Sequence, residues 1–211
     1  MNTQDLQLIY VFDPLCGWCY GFSAAMQAFH KNYSDLPLEI ISGGLFTGQR
    51  IATLGDFPFI AQANLQVTQR SGAIFGAAFN ALLEDGGTLL DSEMATAGFA
   101  ALRAQAPEKS LLLASAVQSA FFMDGRDLND PYTYQDLARA HKLDARAVGK
   151  LLADPAWSAS AAQNDFTRAR HLGAISFPTL FLHTGDHTEL LTRGLAPLDK
   201  LEAGFDRLTQ P

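Results

Sequence analysis

Apolar and polar positions divide the chain into stretches of different period. Residues 6–12, LQLIYVF, form a nearly continuous apolar run rich in β-branched and aromatic side chains, closed by Asp13-Pro14, and such a run predicts a buried strand. From Cys16 to Tyr33 the period lengthens. Cys19, Phe22, Met26 and Phe29 recur at helical spacing, with Pro14 just ahead of the start. A second strand is predicted at LEIISG, ended by Gly43-Gly44. The opening is a β-α-β unit with Cys16 and Cys19 where the first strand hands over to its helix.

Helical periodicity then continues for more than a hundred residues, over 57–83, 91–105, 108–123, 133–142, 144–153 and 156–172. Thr133 with Asp136 has the spacing of a capping box, Pro107 and Pro155 fall at first turns, and Gly86-Gly87, Gly125 and Gly173 fall at ends. Strand character returns at TLFLH, 179–183, and ELLTRG, 189–194, which flank the polar TGDH and predict an antiparallel hairpin. Leu198, Leu201, Phe205 and Leu208 then mark one face of an amphipathic helix. The pattern predicts an α/β fold in which a β-α-β end and a β-β-α end are separated by a large all-helical insertion.

Composition narrows the function. Of 211 residues 48% are hydrophobic and 18% charged, with a formal net charge of −7; such a chain is globular, and its field repels nucleic acid and anionic membrane surfaces. The apolar LIYVF near the start is too short for a signal-peptide core, and SLLLASAVQSAFFM falls short of the ~20 residues that cross a bilayer. A cytosolic location is expected, where a permanent disulfide is uncommon and a cysteine pair is redox-active or metal-binding.

Cys16 and Cys19 are the chain's two cysteines, and chance spaces two lone cysteines three apart roughly once in a hundred. At a helix start they are not equivalent. Cys16 meets the unpaired N–H groups and the positive end of the helix dipole, which stabilise a thiolate, while Cys19 heads the apolar stripe and is shielded. The expected chemistry is attack by a reachable Cys16 on a disulfide, followed by displacement by Cys19. A c-type haem would need histidine where Tyr20 stands. Zinc would need further ligands, for which only His183 and His187 have useful spacing, so no metal is assigned. An inert, packed cysteine pair is the plainest alternative.

With CGWC at the first strand-helix junction and AISFPTLFL leading into the late hairpin, the chain resembles the DsbA-like group of the thioredoxin superfamily. DPLCGWCYGF is similar more particularly to its cytosolic FrnE-type members, described as disulfide isomerases or dithiol oxidoreductases. The resemblance implies a thioredoxin-like domain around a central mixed sheet, from 1–50 and 174–211, with 51–173 inserted. It also implies a cis-proline at Pro178 facing the cysteines, with the Phe177 backbone docking an extended substrate. Trp18 would form part of an apolar platform, or pack on the inserted helices. Relatives often place a buried carboxylate six residues before the first cysteine. Here that position is Tyr10, Asp13 is expected in the loop, and the proton acceptor for Cys19 is open.

The segment SGGLFTG, 42–48, is similar to the kappa-class glutathione transferases and 2-hydroxychromene-2-carboxylate isomerases, which carry serine at the position of Cys16 and hold glutathione. The presence of both cysteines favours disulfide chemistry. The expected function is a thiol-disulfide oxidoreductase or disulfide isomerase, with Cys16 and Cys19 catalytic and Trp18, Phe177 and Pro178 substrate-binding. No bound cofactor is expected; glutathione or a thioredoxin system would be the redox partner, protein or small-molecule disulfides the substrates, and a homodimer one form of assembly. A glutathione-dependent transferase or isomerase is the alternative. The GW dipeptide does not set the direction of electron flow.

Overall fold

The computed structural model describes residues 6–185 and 187–209. Its central feature is a four-stranded sheet in the order β2-β1-β5-β6. β1 (Leu6–Phe12) is parallel to β2 (Leu38–Ser42) and antiparallel to β5 (Thr179–Thr184), which pairs with β6 (Thr188–Arg193). β1 lies inside the sheet and is covered on both faces, which is why it reads as one apolar run. Leu6, Leu8, Tyr10 and Phe12 join the core that includes Cys19, Phe22, Met26 and Phe29 of α1 (Gly17–Asn32), whereas Ile9 and Val11 pack with Ala169, Ala174 and Phe181 on the other face.

Between β2 and β5 the chain is largely helical: α2 (Phe59–Ser71), α3 (Ala77–Asp85), α4 (Ser92–Arg103), α5 (Ser110–Phe122), α6 (Pro131–Ala140), α7 (Ala145–Leu152) and α8 (Pro155–His171). α9 (Leu198–Thr209) closes the fold by packing on β6 and α1. Aspartates cap four of these helices. Asp91, Asp130, Asp144 and Asp154 each accept hydrogen bonds from first-turn N–H groups of α4, α6, α7 and α8. The capping box expected at Thr133 and Asp136 is therefore absent. Asp130 begins the helix with Pro131 at its first position, and Asp136 instead pairs with Arg126 and Arg139.

Two other features depart from the periodicity. The stretch 57–83 is not one helix, because Gly72 adopts φ 75° as the left-handed cap of α2 and the chain turns before α3. The insertion is not wholly helical either: β3 (Ala52–Thr53) and β4 (Leu89–Leu90) form a short antiparallel ribbon. The TGDH turn includes Asp186, which lies outside the described residues; Gly185 beside it has φ 73°.

An ion pair whose carboxylate is buried helps anchor the insertion to the sheet. Asp165 of α8 receives Arg103 of α4 at 2.8 Å and the Ser42 N–H at 2.9 Å, and Arg103 also donates to the Ile40 carbonyl. Burial raises the Asp165 carboxyl, opposed by Arg103 and the Ser42 N–H. Among the described residues no helix is long and apolar enough to cross a membrane.

Candidate active site

α1 starts differently from the aspartate-capped helices. Its N-cap is Cys16, in extended conformation at φ −89° and ψ 109°, and no side chain caps the first turn. The backbone bends into the helix through the Cys16 N–H, which donates to the Asp13 carbonyl at 3.1 Å. The first-turn N–H groups are thus left for whatever lies beside the Cys16 sulfur.

Both cysteines are free thiols. Cys19 is completely buried on the stripe facing the sheet. Burial, followed by the hydrogen bond and charge of Cys16, pushes its thiol well above the ordinary cysteine range, while the backbone of Asp13 acts in the opposite direction. Cys16, which the sequence predicts to be reachable, is 3% exposed and does not open directly to the outer surface. It lies instead on the wall of a cavity of about 630 Å³, between the strand-helix junctions of the sheet and the insertion. Reactants would reach its sulfur through that cavity.

The other candidates from the sequence converge on the same cavity. The Phe177–Pro178 peptide bond is cis, and the Cys16 thiol donates to the Phe177 carbonyl at 3.7 Å across 161 residues of sequence. One edge of the Phe177 ring abuts Gly43, where a Cβ would sit 1.8 Å from it. Trp18 is half-buried on the cavity wall with the guanidinium of Arg70 from α2 at 5.4 Å from its ring centre, so it packs on the insertion and faces the cavity at once. The walls are mostly aromatic and aliphatic, with Arg50 and Arg170 as the cationic side chains lining them. Among the described residues no three His, Cys, Asp or Glu side chains are grouped as a metal site, and the His183 ring is engaged with Thr188 at 2.9 Å.

Asp13 is the site residue that sequence reasoning underrated. It lies in the loop between β1 and α1, as the sequence predicts, and is completely buried there. Its Oδ1 accepts the Leu15 N–H at 3.0 Å and the Ser92 hydroxyl at 3.1 Å, and its Oδ2 accepts the Leu45 N–H at 2.8 Å. Burial raises its carboxyl above the usual value and these donors oppose the shift. One carboxylate thereby ties the cysteine junction to the 43–46 loop and to the start of α4. The Gln118 amide also donates to the Asp13 carbonyl at 3.3 Å.

A dithiol at the start of the first helix, opposite a cis-proline loop on a sheet of this order, defines the class: a thioredoxin-like fold with a helical insertion. The family follows from the sequence as a whole. The DSBA-like thioredoxin domain profile matches residues 7–205, and the chain belongs to that family of thiol-disulfide oxidoreductases. No curated protein sequence matches it. Among solved structures, a proposed protein disulfide isomerase from Nitrosomonas europaea superposes with a TM-score of 0.83 at 23% identity, covering 98% of each chain. The cytosolic disulfide reductase DsbM from Pseudomonas aeruginosa gives 0.80 at 26%, covering 96% of this chain and 98% of that one, and has also been solved with GSH. A 2-hydroxychromene-2-carboxylate isomerase gives 0.61 at 17%, covering 95% of each chain, a likeness of fold alone.

Proposed function

We propose that the chain is a cytoplasmic thiol-disulfide oxidoreductase working through Cys16 and Cys19 by a mixed-disulfide mechanism. Cys16 is the nucleophile: its thiolate attacks one sulfur of a substrate disulfide, forming a Cys16–substrate disulfide and releasing the other half as thiolate. Cys19 then attacks the Cys16 sulfur, the second half leaves, and the proton lost by Cys19 ends on it. Two external thiols reduce the Cys16–Cys19 bond and leave as a disulfide. The observation that carries this reading is the Cys16 thiol at the cavity wall, hydrogen-bonded to the Phe177 carbonyl next to Pro178, with Cys19 sealed behind it.

In this reading Phe177 and Pro178 position substrate and Trp18 lines its path. Glutathione is the favoured redox partner, ahead of a thioredoxin system. The DsbM structure with GSH supports this, as do Arg50 and Arg170, whose charge suits the carboxylates of a small acidic thiol. Reduction is the favoured direction, on the likeness to DsbM. The domain division at 1–50, 51–173 and 174–211 belongs to the same proposal.

Replacing each cysteine by serine tests it. Cys16→Ser abolishes reduction of glutathione-mixed disulfides and insulin, and Cys19→Ser accumulates adducts on non-reducing gels. Turnover of glutathione with an electrophile by Cys16→Ser, without disulfide activity in the wild type, would overturn the reading in favour of the transferase or isomerase alternative.

A further inference from the structure

Tyr10 is a buried donor with nothing to donate to. It lies at the centre of the sheet, opposite Ile40 of β2 and Leu180 of β5, and it is 2% exposed. Its ring packs at 5.7 Å from those of Phe12 and Phe22. In this all-apolar setting its hydroxyl makes no hydrogen bond. A buried polar group left unmet is costly, and such a residue needs a reason.

The reason lies on the facing helix. Tyr10 is on the β1 face that packs on α1, in one core with Cys16, Cys19 and Phe22. Beyond burial, what raises its hydroxyl is the negative charge either neighbouring thiol would carry, Cys19 ahead of Cys16, so the Cys19 sulfur lies near the phenol without completing a hydrogen bond to it. A neutral thiol is a weak acceptor, so in the dithiol the phenol stays essentially unpaired. A thiolate is a strong acceptor, and a hydrogen bond to a charged group is worth roughly twice a neutral one. The titratable groups acting on Cys19 are Cys16 and Asp13. Both act on it as like charges, and the Asp13 carboxylate is already taken by Leu15, Leu45 and Ser92.

We propose that Tyr10 is the hydrogen-bond donor for the resolving step, its hydroxyl pairing with the Cys19 sulfur as that sulfur ionises to attack the Cys16–substrate disulfide. The inference rests on the reading of Cys19 as resolving thiol. The phenol keeps its proton throughout: Cys19 loses its own to the departing sulfur, one Cys16–substrate S–S bond breaks and one Cys16–Cys19 bond forms. Once the disulfide has closed, the hydroxyl is unpaired again.

Tyr10→Phe in the full chain removes the donor and little else. Mixing the reduced protein with an aromatic disulfide such as 5,5′-dithiobis(2-nitrobenzoate) separates two phases, attack by Cys16 and release of the second chromophore by Cys19. The variant is expected to keep the first rate within about twofold and to slow the second about tenfold, the weight of one hydrogen bond to a charged acceptor, with the pH profile of the second phase displaced upward by about one unit. Its melting temperature is expected to be unchanged or higher, since an unmet polar group is gone. Equal rates in both proteins would overturn the proposal and leave the redox reading standing, whereas a wild type with no second phase would overturn both. A fall of several degrees in melting temperature would assign the hydroxyl to structure and overturn it too. If the variant does not fold, fluorotyrosine at the five tyrosines makes each phenol a stronger donor; the second phase must then accelerate, and an unchanged rate would overturn the proposal.

Discussion

Asp13 gives the sharpest test of how the site is held. Its carboxylate accepts from the Leu15 and Leu45 backbone and from the Ser92 hydroxyl. Asp13→Ala removes all three acceptor contacts at a position with no solvent exposure. Ser92 keeps one hydrogen bond, because its oxygen also accepts the Phe46 N–H at 2.9 Å. The two backbone donors keep none. At about 1–3 kcal/mol for each buried donor left unmet, the expected loss is about 2–6 kcal/mol, a large part of the ~5–15 kcal/mol that holds a typical domain. Asp13→Asn keeps one acceptor oxygen for Leu15 and Ser92 but turns an NH2 toward the Leu45 N–H, so it should lose about 1–3 kcal/mol.

Urea unfolding of the reduced proteins, monitored by tryptophan fluorescence under dithiothreitol, keeps disulfide formation out of the comparison. An Asp13→Ala variant within 1 kcal/mol of wild type would refute the hub as described. The pH dependence has a definite sign. Burial raises the folded carboxyl above its ordinary 3.8, so the folded chain holds this proton more tightly than the unfolded one. The stability associated with it is fully present below the unfolded pKa and is lost as pH rises through the folded pKa. Asp165 is raised in the same way. The Asp13 part is therefore the difference between the wild-type and Asp13→Asn profiles, and a difference of opposite slope would contradict the assignment.

Two further substitutions probe the surroundings. Gly43→Ala would put a methyl group 1.8 Å from the Phe177 ring, forcing the ring off the strand end; about 1–3 kcal/mol of stability should be lost, with disulfide reduction falling more than thermal stability does, and a variant with wild-type kinetics would show that Phe177 does not set the site. Asp165→Ala leaves the Ser42 N–H and Arg103 without their partner. The loss should be about 3 kcal/mol, the low end for a broken buried pair because Arg103 keeps partial contact with water, and a melting temperature unchanged within 1 °C would contradict it.

The sheet strands were legible because each is buried in a way that writes its period into the chain. β1 shows an apolar run broken only by Gln7 since both its faces are covered, and α1 shows a clean stripe since Ala24, Gln27 and Lys31 on its far side stay exposed. The helices of the insertion were legible from their ends as well as their stripes, and the errors fall where one local signal overrode another. Thr133 and Asp136 had the right spacing for a cap, but Asp130-Pro131 stands three residues earlier and starts the helix first. Two-residue strands such as β3 and β4 carry too little period to be seen.

The candidate site divides along the same line. Cys16 and Cys19 are neighbours in sequence, so their unequal environments could be argued from one helix turn, and burial of Cys19 follows from its place on the stripe. The burial of Cys16 could not, because the walls around its sulfur come from the insertion and from the loop before β5. Asp13 shows why most clearly: its partners Leu45 and Ser92 lie 32 and 79 residues away, and no local pattern announces a contact that only the closed fold creates. The insertion is thus more than a lid. By bringing Ser92 at the start of α4 to the Asp13 carboxylate, and Arg103 to Asp165 beside β2, it fixes both loops that flank the cysteines, so that a change in the helical region should be felt at the sulfurs even where it touches neither.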